Sequence, residues 1–354
     1  VTTSGITFVV PGDVDDQSVP SGGNTYDRRL GAALGADEVA VAGTWPTPED
    51  TARLELAGVL AGFDDGATVV IDGLVACGVP EIVVPQARRL RLAVLVHLPL
   101  ADETGLEPEL AADLNARERE TLHAAGMIVA TSPWAARRIT SHHRLPAHRV
   151  HTVRPGTDPA PLAPGTDGRS RLLCVAAVTP RKGQDRLVEA LDSVRDLPFS
   201  CELVGSVRRD TGYALRLRAM IEDSGLADRV RLAGPKTGAE LEEAYAAADL
   251  FVLPSHTETY GMVLTEALAR GIPVLATNVS AMPETVGHAP DGTVPGILTW
   301  QFADALRRFL TDAALRDTLR AAALARRETL TGWDTAAREL TDVLARLEEP
   351  ACLT

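Results

Sequence analysis

Glu258 and Glu266 stand eight positions apart in SHTETYGMVLTEALARG (255–271), with Gly261 between them and an apolar helical pattern behind it. A helix that opens on glycine leaves its first-turn amides bare, and the positive end of its dipole favours an anion such as a phosphate. Val263, Leu264, Ala267 and Leu268 form the apolar stripe of that helix. At 100° per residue Glu266 falls roughly 130° from the centre of the stripe, so packing does not require it there. Glu258 precedes the helix, so the two carboxylates divide between a loop and a helix flank. Spacing by itself leaves both as solvated surface residues.

A second cluster is TPRKGQD (179–185), where Arg181 and Lys182 precede Gly183 and could hold a diphosphate. The other reading is a solvated basic turn. Lys182 and Lys236 are the only lysines in a chain whose other basic residues are arginine, as in a protein from a GC-rich genome. A lysine kept in that background suits a site needing a compact ammonium. PSGGNTYDRRL (20–30) offers Gly22 and Gly23 at a helix start, where backbone amides can approach an anion, or Ser21 or Asn24 simply caps the helix. It is not the GxGxxG of a dinucleotide fingerprint. His97 ends the strand LAVLVHL, at the edge where ligands of parallel sheets lie. The Asp-x-Asp of GDVDD (12–16) reads as a polar loop, and His142-His143 has no third ligand at zinc spacing.

The elements that position these residues alternate along the chain. ITFVV (6–10), EVAVAG (38–43), ATVVIDGLV (67–75), LAVLVHL (92–98), MIVAT (127–131) and VHTVRP (150–155) read as buried strands. Helical periods fill 24–35, 49–62, 79–90, 108–124 and 133–143. Near-continuous apolar strands alternating with helices specify parallel sheets covered on both faces. PGTDPAPLAPGTDGRS (155–170) reads as a linker, after which the alternation restarts. RLLCVAAV (171–178), CELVG (201–205), RVRLAG (229–234), LFVLP (250–254) and PVLAT (273–277) are the second set of strands, and 300–349 reads as helical throughout. Two doubly wound α/β domains with a cleft between them are expected.

Composition narrows the function. The chain has 354 residues, beyond the size at which one core keeps growing, and a net charge of −13, which opposes a nucleic-acid or anionic-membrane partner. Its four cysteines (77, 174, 201 and 352) show neither zinc nor disulfide spacing. The first residues lack the basic start and apolar core of a signal peptide, and no apolar run is long enough for a membrane span. A soluble protein of a reducing cytoplasm is expected.

Taken in order, these segments resemble the retaining glycosyltransferases of family 4 over nearly the whole chain. PSHTETYGMVLTEALARGIPVLATNVSAMPETV (254–286) is similar to that family's E-x7-E region, VAAVTPRKGQDRLVEAL (175–191) to its basic loop, and PSGGNTYDRRL to its glycine pair. ELVGS, RVRLAG, EAYAAADLFVLPS, VRPGTD (153–158) and TGWDTAAREL (331–340) follow in the family's order. The resemblance implies the GT-B fold: a Rossmann-like acceptor-side domain over 1–160, a Rossmann-like donor domain over 161–330, and a C-terminal helix (331–354) that returns to the first.

It further implies a nucleotide-diphosphate sugar, UDP-linked by family frequency, and a small soluble acceptor. Glu266 would hold the ribose, and Glu258 the sugar hydroxyls. The amides of Tyr260, Gly261, Met262 and Val263 would contact sugar and phosphates, and Lys182 with Gly22 and Gly23 would hold the diphosphate. His97 would touch the sugar near its anomeric carbon. No metal and no cofactor is implied, nor a nucleic-acid or integral-membrane partner. The family's arginine five positions before the lysine is here Ala177, and Arg181 is expected to supply that charge. Tyr260 replaces the usual Phe, and Ser280-Ala281 stands where a glycine pair is common. Asp13, Asp15 and Asp16 are expected to form a solvated loop rather than a face for a cationic acceptor. An isomerase or hydrolase of nucleotide sugars, or a non-catalytic binding protein, are the alternatives.

Overall fold

The computed structural model describes residues 5–13, 16, 18 and 20–347. Its strands form two six-stranded sheets whose pairs are all parallel. The first comprises β1 (Ile6–Pro11), β2 (Asp37–Val41), β3 (Thr68–Asp72), β4 (Arg91–Val96), β5 (Met127–Ala130) and β6 (Val150–Thr152), in the order β2-β1-β3-β4-β5-β6. The second comprises β7 (Arg171–Val175), β8 (Ser200–Val204), β9 (Val230–Gly234), β10 (Leu250–Leu253), β11 (Val274–Ala276) and β12 (Gly296–Leu298), in the order β12-β11-β10-β7-β8-β9.

Helices cover both faces, which is why inner strands such as β5 (MIVA) and β10 (LFVL) are apolar and buried at every position. In the second sheet Leu172, Leu203 and Val252 enter one core while their neighbours Leu173, Val204 and Phe251 enter another. Two compact units result. One contains Ser21–Gly156 and the C-terminal helix Trp333–Ala345, and the other contains Thr157–Thr331. The C-terminal helix packs on the helix Gly22–Leu34 of the first unit, with the Trp333 and Tyr26 rings edge to face at 5.8 Å. Among the described residues no helix is long and apolar enough to cross a membrane.

Several expectations need correction. ATVVIDGLV is not one strand: β3 stops at Asp72, whose carboxylate accepts the Leu74 amide at 2.7 Å and starts the helix Gly73–Gly78. The helical region 79–90 shortens to Pro80–Gln86. The helix Met282–Val286 and the strand β12 fall where the sequence reading placed no element. The tail is three helices, not one. Asp312 caps Ala313–Arg327 through the Leu315 amide and so ends Phe302–Thr311, and the chain breaks again before Gly332.

Segment 155–170 has no helix or strand, as a linker should, yet it is fastened to the second unit. Ala163 donates to the Arg270 carbonyl and Gly165 to the Ala246 carbonyl, both at 3.0 Å, and the buried Asp249 carboxylate collects the Thr166 and Gly168 amides. Proline and glycine here give an extended, hydrogen-bonded path rather than a slack one. Cys77, Cys174 and Cys201 are buried thiols, while Cys352, Pro350 and Asp15 lie outside the described residues.

Candidate active site

Strand order explains how residues distant in sequence meet in the second unit. β7 and β10 are neighbours at the point where the winding reverses, so the loops leaving their C-terminal ends lie side by side, the usual ligand position in such sheets. The first loop is TPRKG. Thr179 is followed by a single 3-10 turn, Pro180–Lys182, and Gly183 turns the chain into the helix Gln184–Asp192 with φ +64°. That left-handed backbone suits glycine, and a Cβ at Gly183 would also strike the Pro254 carbonyl of the adjacent loop. The two loops are tied by the His256 amide, which donates to the Arg181 carbonyl at 2.8 Å.

Across this junction Lys182 Nζ donates to Glu258 Oε1 at 2.5 Å, and Ser255 Oγ donates to the same oxygen at 2.8 Å. Arg181 Nη1 stands 4.0 Å from Glu258 Oε2. Glu258 is buried, and burial alone would push its pKa up. The charges of Lys182 and Arg181 and the bonds from Lys182 and Ser255 outweigh burial and hold the carboxyl below its usual range. Burial pulls the Lys182 ammonium down, with Glu258 opposing and Arg181 assisting. The loop thus holds an ionised carboxylate and a desolvated cation with a second cation beside it, an arrangement receptive to a further anion.

The rest of the segment divides as the sequence predicts. Glu258 lies in the loop, Tyr260 holds it through its carbonyl (an acceptor for Thr285 Oγ1 at 2.6 Å), and Gly261 precedes the helix Met262–Ala269 with φ +87°. No side chain caps that helix, whose first residues are Met262 and Val263. Glu266 lies on its flank and accepts the Tyr245 hydroxyl at 2.8 Å. Burial raises its pKa, against the Tyr245 bond and the Arg270 charge. Ser280, in place of the common glycine, adopts φ +53° and shares a 2.9 Å hydrogen bond with Thr257. Its left-handed backbone keeps the glycine-like turn, and Ala281 donates to the Glu258 carbonyl at 3.1 Å. Tyr245 and Ser255 were not singled out from sequence. Lys236 is held elsewhere, 2.7 Å from the buried Glu202 of β8.

In the first unit Gly22 opens the helix Gly22–Leu34, and the Ser21 side chain makes no cap bond. Asn24 reaches the Asp13 carbonyl instead, at 3.3 Å. Gly23 faces the His97 ring so closely that a Cβ would lie 3.1 Å from its Cδ2. His97 follows β4, and its Nε2 lies 2.8 Å from Asp27 Oδ1 and 3.4 Å from Asp72 Oδ2. The sequence reading missed both aspartates. Asp27, one helical turn beyond Gly23, is 2% exposed, and Asp72 ends β3 at 4%. Burial raises the pKa of Asp27 to about 7 and that of Asp72 well above the carboxylate range, while burial lowers that of His97. Among the described residues, an imidazole nitrogen of His97 and one carboxylate oxygen each of Asp27 and Asp72 lie within 4.8 Å of one another. His143 of the His142-His143 pair is buried against Glu118 at 2.9 Å.

Comparison with known proteins bears on these loops directly. Residues 164–326, which carry the Lys182–Glu258 junction and Glu266, match the model of the family described as glycosyl transferases group 1. The chain is 35% identical over 222 residues to a GDP-mannose-dependent alpha-(1-6)-phosphatidylinositol monomannoside mannosyltransferase of Mycobacterium tuberculosis, covering 56% of each chain. It is 31% identical over 281 residues to a D-inositol 3-phosphate glycosyltransferase of Nocardiopsis dassonvillei, covering 74% of this chain and 65% of the relative. The match thus spans somewhat more than half the length of these relatives. Among solved structures, sucrose-phosphate synthase from Thermosynechococcus elongatus superposes with TM-score 0.76 at 21% identity, covering 97% of this chain and 99% of its own. Anabaena HepE, solved with UDP and glucose, gives 0.75 at 19% identity, covering 96% and 99%. These two likenesses establish the GT-B fold.

Proposed function

We propose that the chain, whose residues 164–326 match the glycosyl transferases group 1 family, moves a hexosyl unit from a nucleotide-diphosphate sugar to a small polar acceptor. The observation that carries this reading is the junction at the β7/β10 switch point. There Lys182 and Arg181 face an ionised Glu258 beside an uncapped helix start.

In this reading the diphosphate lies against Lys182, Arg181 and the amides of Gly261, Met262 and Val263. Fixed positive charge then meets the negative charge that develops on the leaving phosphate, and no metal is needed for that task. Glu258 accepts from sugar hydroxyls and Glu266 from the ribose. Tyr260 lines the sugar through its backbone. In the first unit Gly22 and Gly23 offer amides to phosphate, and His97 contacts the sugar. The acceptor oxygen bonds to the anomeric carbon on the face that the phosphate leaves. The carbon–oxygen bond to the diphosphate breaks, and a phosphate oxygen takes the acceptor's proton. Configuration is retained, and Glu258 stabilises rather than attacks.

A UDP-sugar is the favoured donor. The mycobacterial relative is by name GDP-mannose-dependent, so the test compares both bases. A thermal-shift panel of UDP- and GDP-sugars identifies the donor, because a bound ligand raises the melting temperature by mass action. With that donor, consumption that depends on an acceptor and a product of retained configuration by NMR are expected. Inverted product, or consumption without acceptor, refutes the reading.

A further inference from the structure

The Asp27–Asp72–His97 cluster has one feature that a simple ion pair does not explain. Both close contacts of the ring use the same nitrogen, Nε2, at 2.8 Å from Asp27 and 3.4 Å from Asp72. One ring nitrogen therefore faces two carboxylates, hydrogen-bonded to Asp27 and within ion-pair distance of Asp72. Asp72 also accepts the Leu74 amide, but the buried Asp27 Oδ2 has no donor among the described residues. An oxygen of each carboxyl group lies within 4.8 Å of the other. Buried and adjacent, they cannot both be ionised, and one proton between them removes the repulsion and supplies the donor that Asp27 Oδ2 lacks.

Surrounding groups reinforce this. Glu38 of β2 adds repulsion at Asp27, and the Cys77 thiol beside Asp72 is pushed up by burial and stays neutral. Arg28 is paired with Glu38 at 3.0 Å. The Tyr26 ring meets the imidazole edge to face at 5.2 Å, and Gly23 closes over its Cδ2 edge.

We propose that Asp27 and Asp72 share one proton and act as a single positioning unit that fixes His97 as the neutral Nε2–H tautomer, so that Nδ1 is presented as an acceptor to a sugar hydroxyl. The sugar contact rests on the function proposed above, whereas the tautomer and the shared proton do not. An imidazolium at this position would present a donor instead, and the opposite tautomer would leave both carboxylates facing a bare nitrogen. The aspartates need not touch sugar, because they act through the ring.

Nitrogen-15 NMR of the histidine side chains in the full-length protein tests this, with His97 assigned by loss of its signals in H97Q. The expected result is a pyrrole-type Nε2 and a pyridine-type Nδ1 at pH 8, above the pKa of about 7 to which Asp27 is raised, where the pair keeps one proton. D27A is expected to mix the tautomers and to lower kcat about tenfold, with the affinity for the sugar-free nucleoside diphosphate unchanged. D27N, whose amide mimics a protonated carboxyl, is expected to recover most of that loss and to restore the Nε2–H form. Two protonated ring nitrogens in the wild type at pH 7 overturn the proposal without any variant. So does saturable Mn2+ broadening of the His97 signals that disappears in D27N, since a cation would then replace the proton. If the tautomer is as expected but H97Q turns over normally, the proton-sharing unit stands and the sugar contact of His97 fails.

Discussion

Replacing Glu258 by glutamine removes one charge and almost no volume from the junction of β7 and β10. In the wild type that carboxylate is the counterion of Lys182 at 2.5 Å and lies 4.0 Å from Arg181. E258Q leaves the buried ammonium facing another cation. Breaking a buried pair in this way typically costs about 3–5 kcal/mol. In a unit the size of Thr157–Thr331, where 1 kcal/mol corresponds to roughly 2–4 °C, the ligand-free melting temperature should fall by about 6–20 °C. Lys182 can relieve part of this by releasing its proton, since burial already pulls its pKa down. Its folded pKa then lies below the unfolded one, so the unfolded chain binds more protons between the two, and E258Q should gain stability as pH rises through that window.

A nucleoside diphosphate supplies the missing negative charge. Its stabilising shift should therefore be larger in E258Q than in the wild type, although turnover falls. The assay is thermal denaturation with and without saturating UDP or GDP, repeated between pH 7 and 9. A variant that melts within 2 °C of the wild type, about 1 kcal/mol by the same conversion, refutes the reasoning if its diphosphate shift is also unchanged. The Glu258–Lys182 pair would then contribute nothing to stability or to diphosphate binding.

Other perturbations separate the remaining roles. E266A should weaken nucleotide binding roughly 10–100-fold, the loss of one charge-assisted hydrogen bond or slightly more, as read by calorimetry; unchanged affinity removes the ribose role. R181A should weaken donor binding and turnover together if Arg181 supplies the charge absent at Ala177; wild-type values for both leave that charge unassigned. Asp27, raised to about 7 in the folded protein, stabilises it most at low pH. That contribution is lost as pH rises through about 7, and at about 1.4 kcal/mol per unit of pKa it amounts to at most roughly 4 kcal/mol. Denaturant melts between pH 5 and 8 should show this slope in the wild type and a flatter profile in D27N; parallel profiles would mean that Asp27 is ionised throughout.

The fold was legible because buried parallel strands have a simple signature. Runs such as LFVLP and RLLCV carry apolar side chains at successive positions, and both their odd and even residues enter cores. Errors arose where one polar residue overrules periodicity. Asp72 ends a strand that its apolar neighbours seem to prolong in ATVVIDGLV, since its carboxylate serves the Leu74 amide. Asp312 divides a tail of continuous helical composition in the same way. Short elements such as β12, three residues long, are too brief to show a period at all.

The candidate site divides along the same line. Lys182, Glu258 and Glu266 were singled out by order along the chain. What order did not contain is that Lys182 and Glu258, 76 residues apart, are hydrogen-bonded to each other. That bond follows from the adjacency of β7 and β10, a fact of topology rather than of motif. In the proposed function, donor binding is an exchange of counterions at Lys182, the diphosphate replacing Glu258 and leaving its oxygens to sugar hydroxyls. In the first unit Asp27 and Asp72 lie 45 positions apart in sequence, on different elements, and nothing in their spacing links them to His97. The one local sign was a glycine, Gly23, one turn ahead of an aspartate on a helix face that also carries Tyr26 and Leu30, all three buried. A carboxylate placed among core residues by its helical phase needs a buried partner, and the nearest strand end offered the histidine.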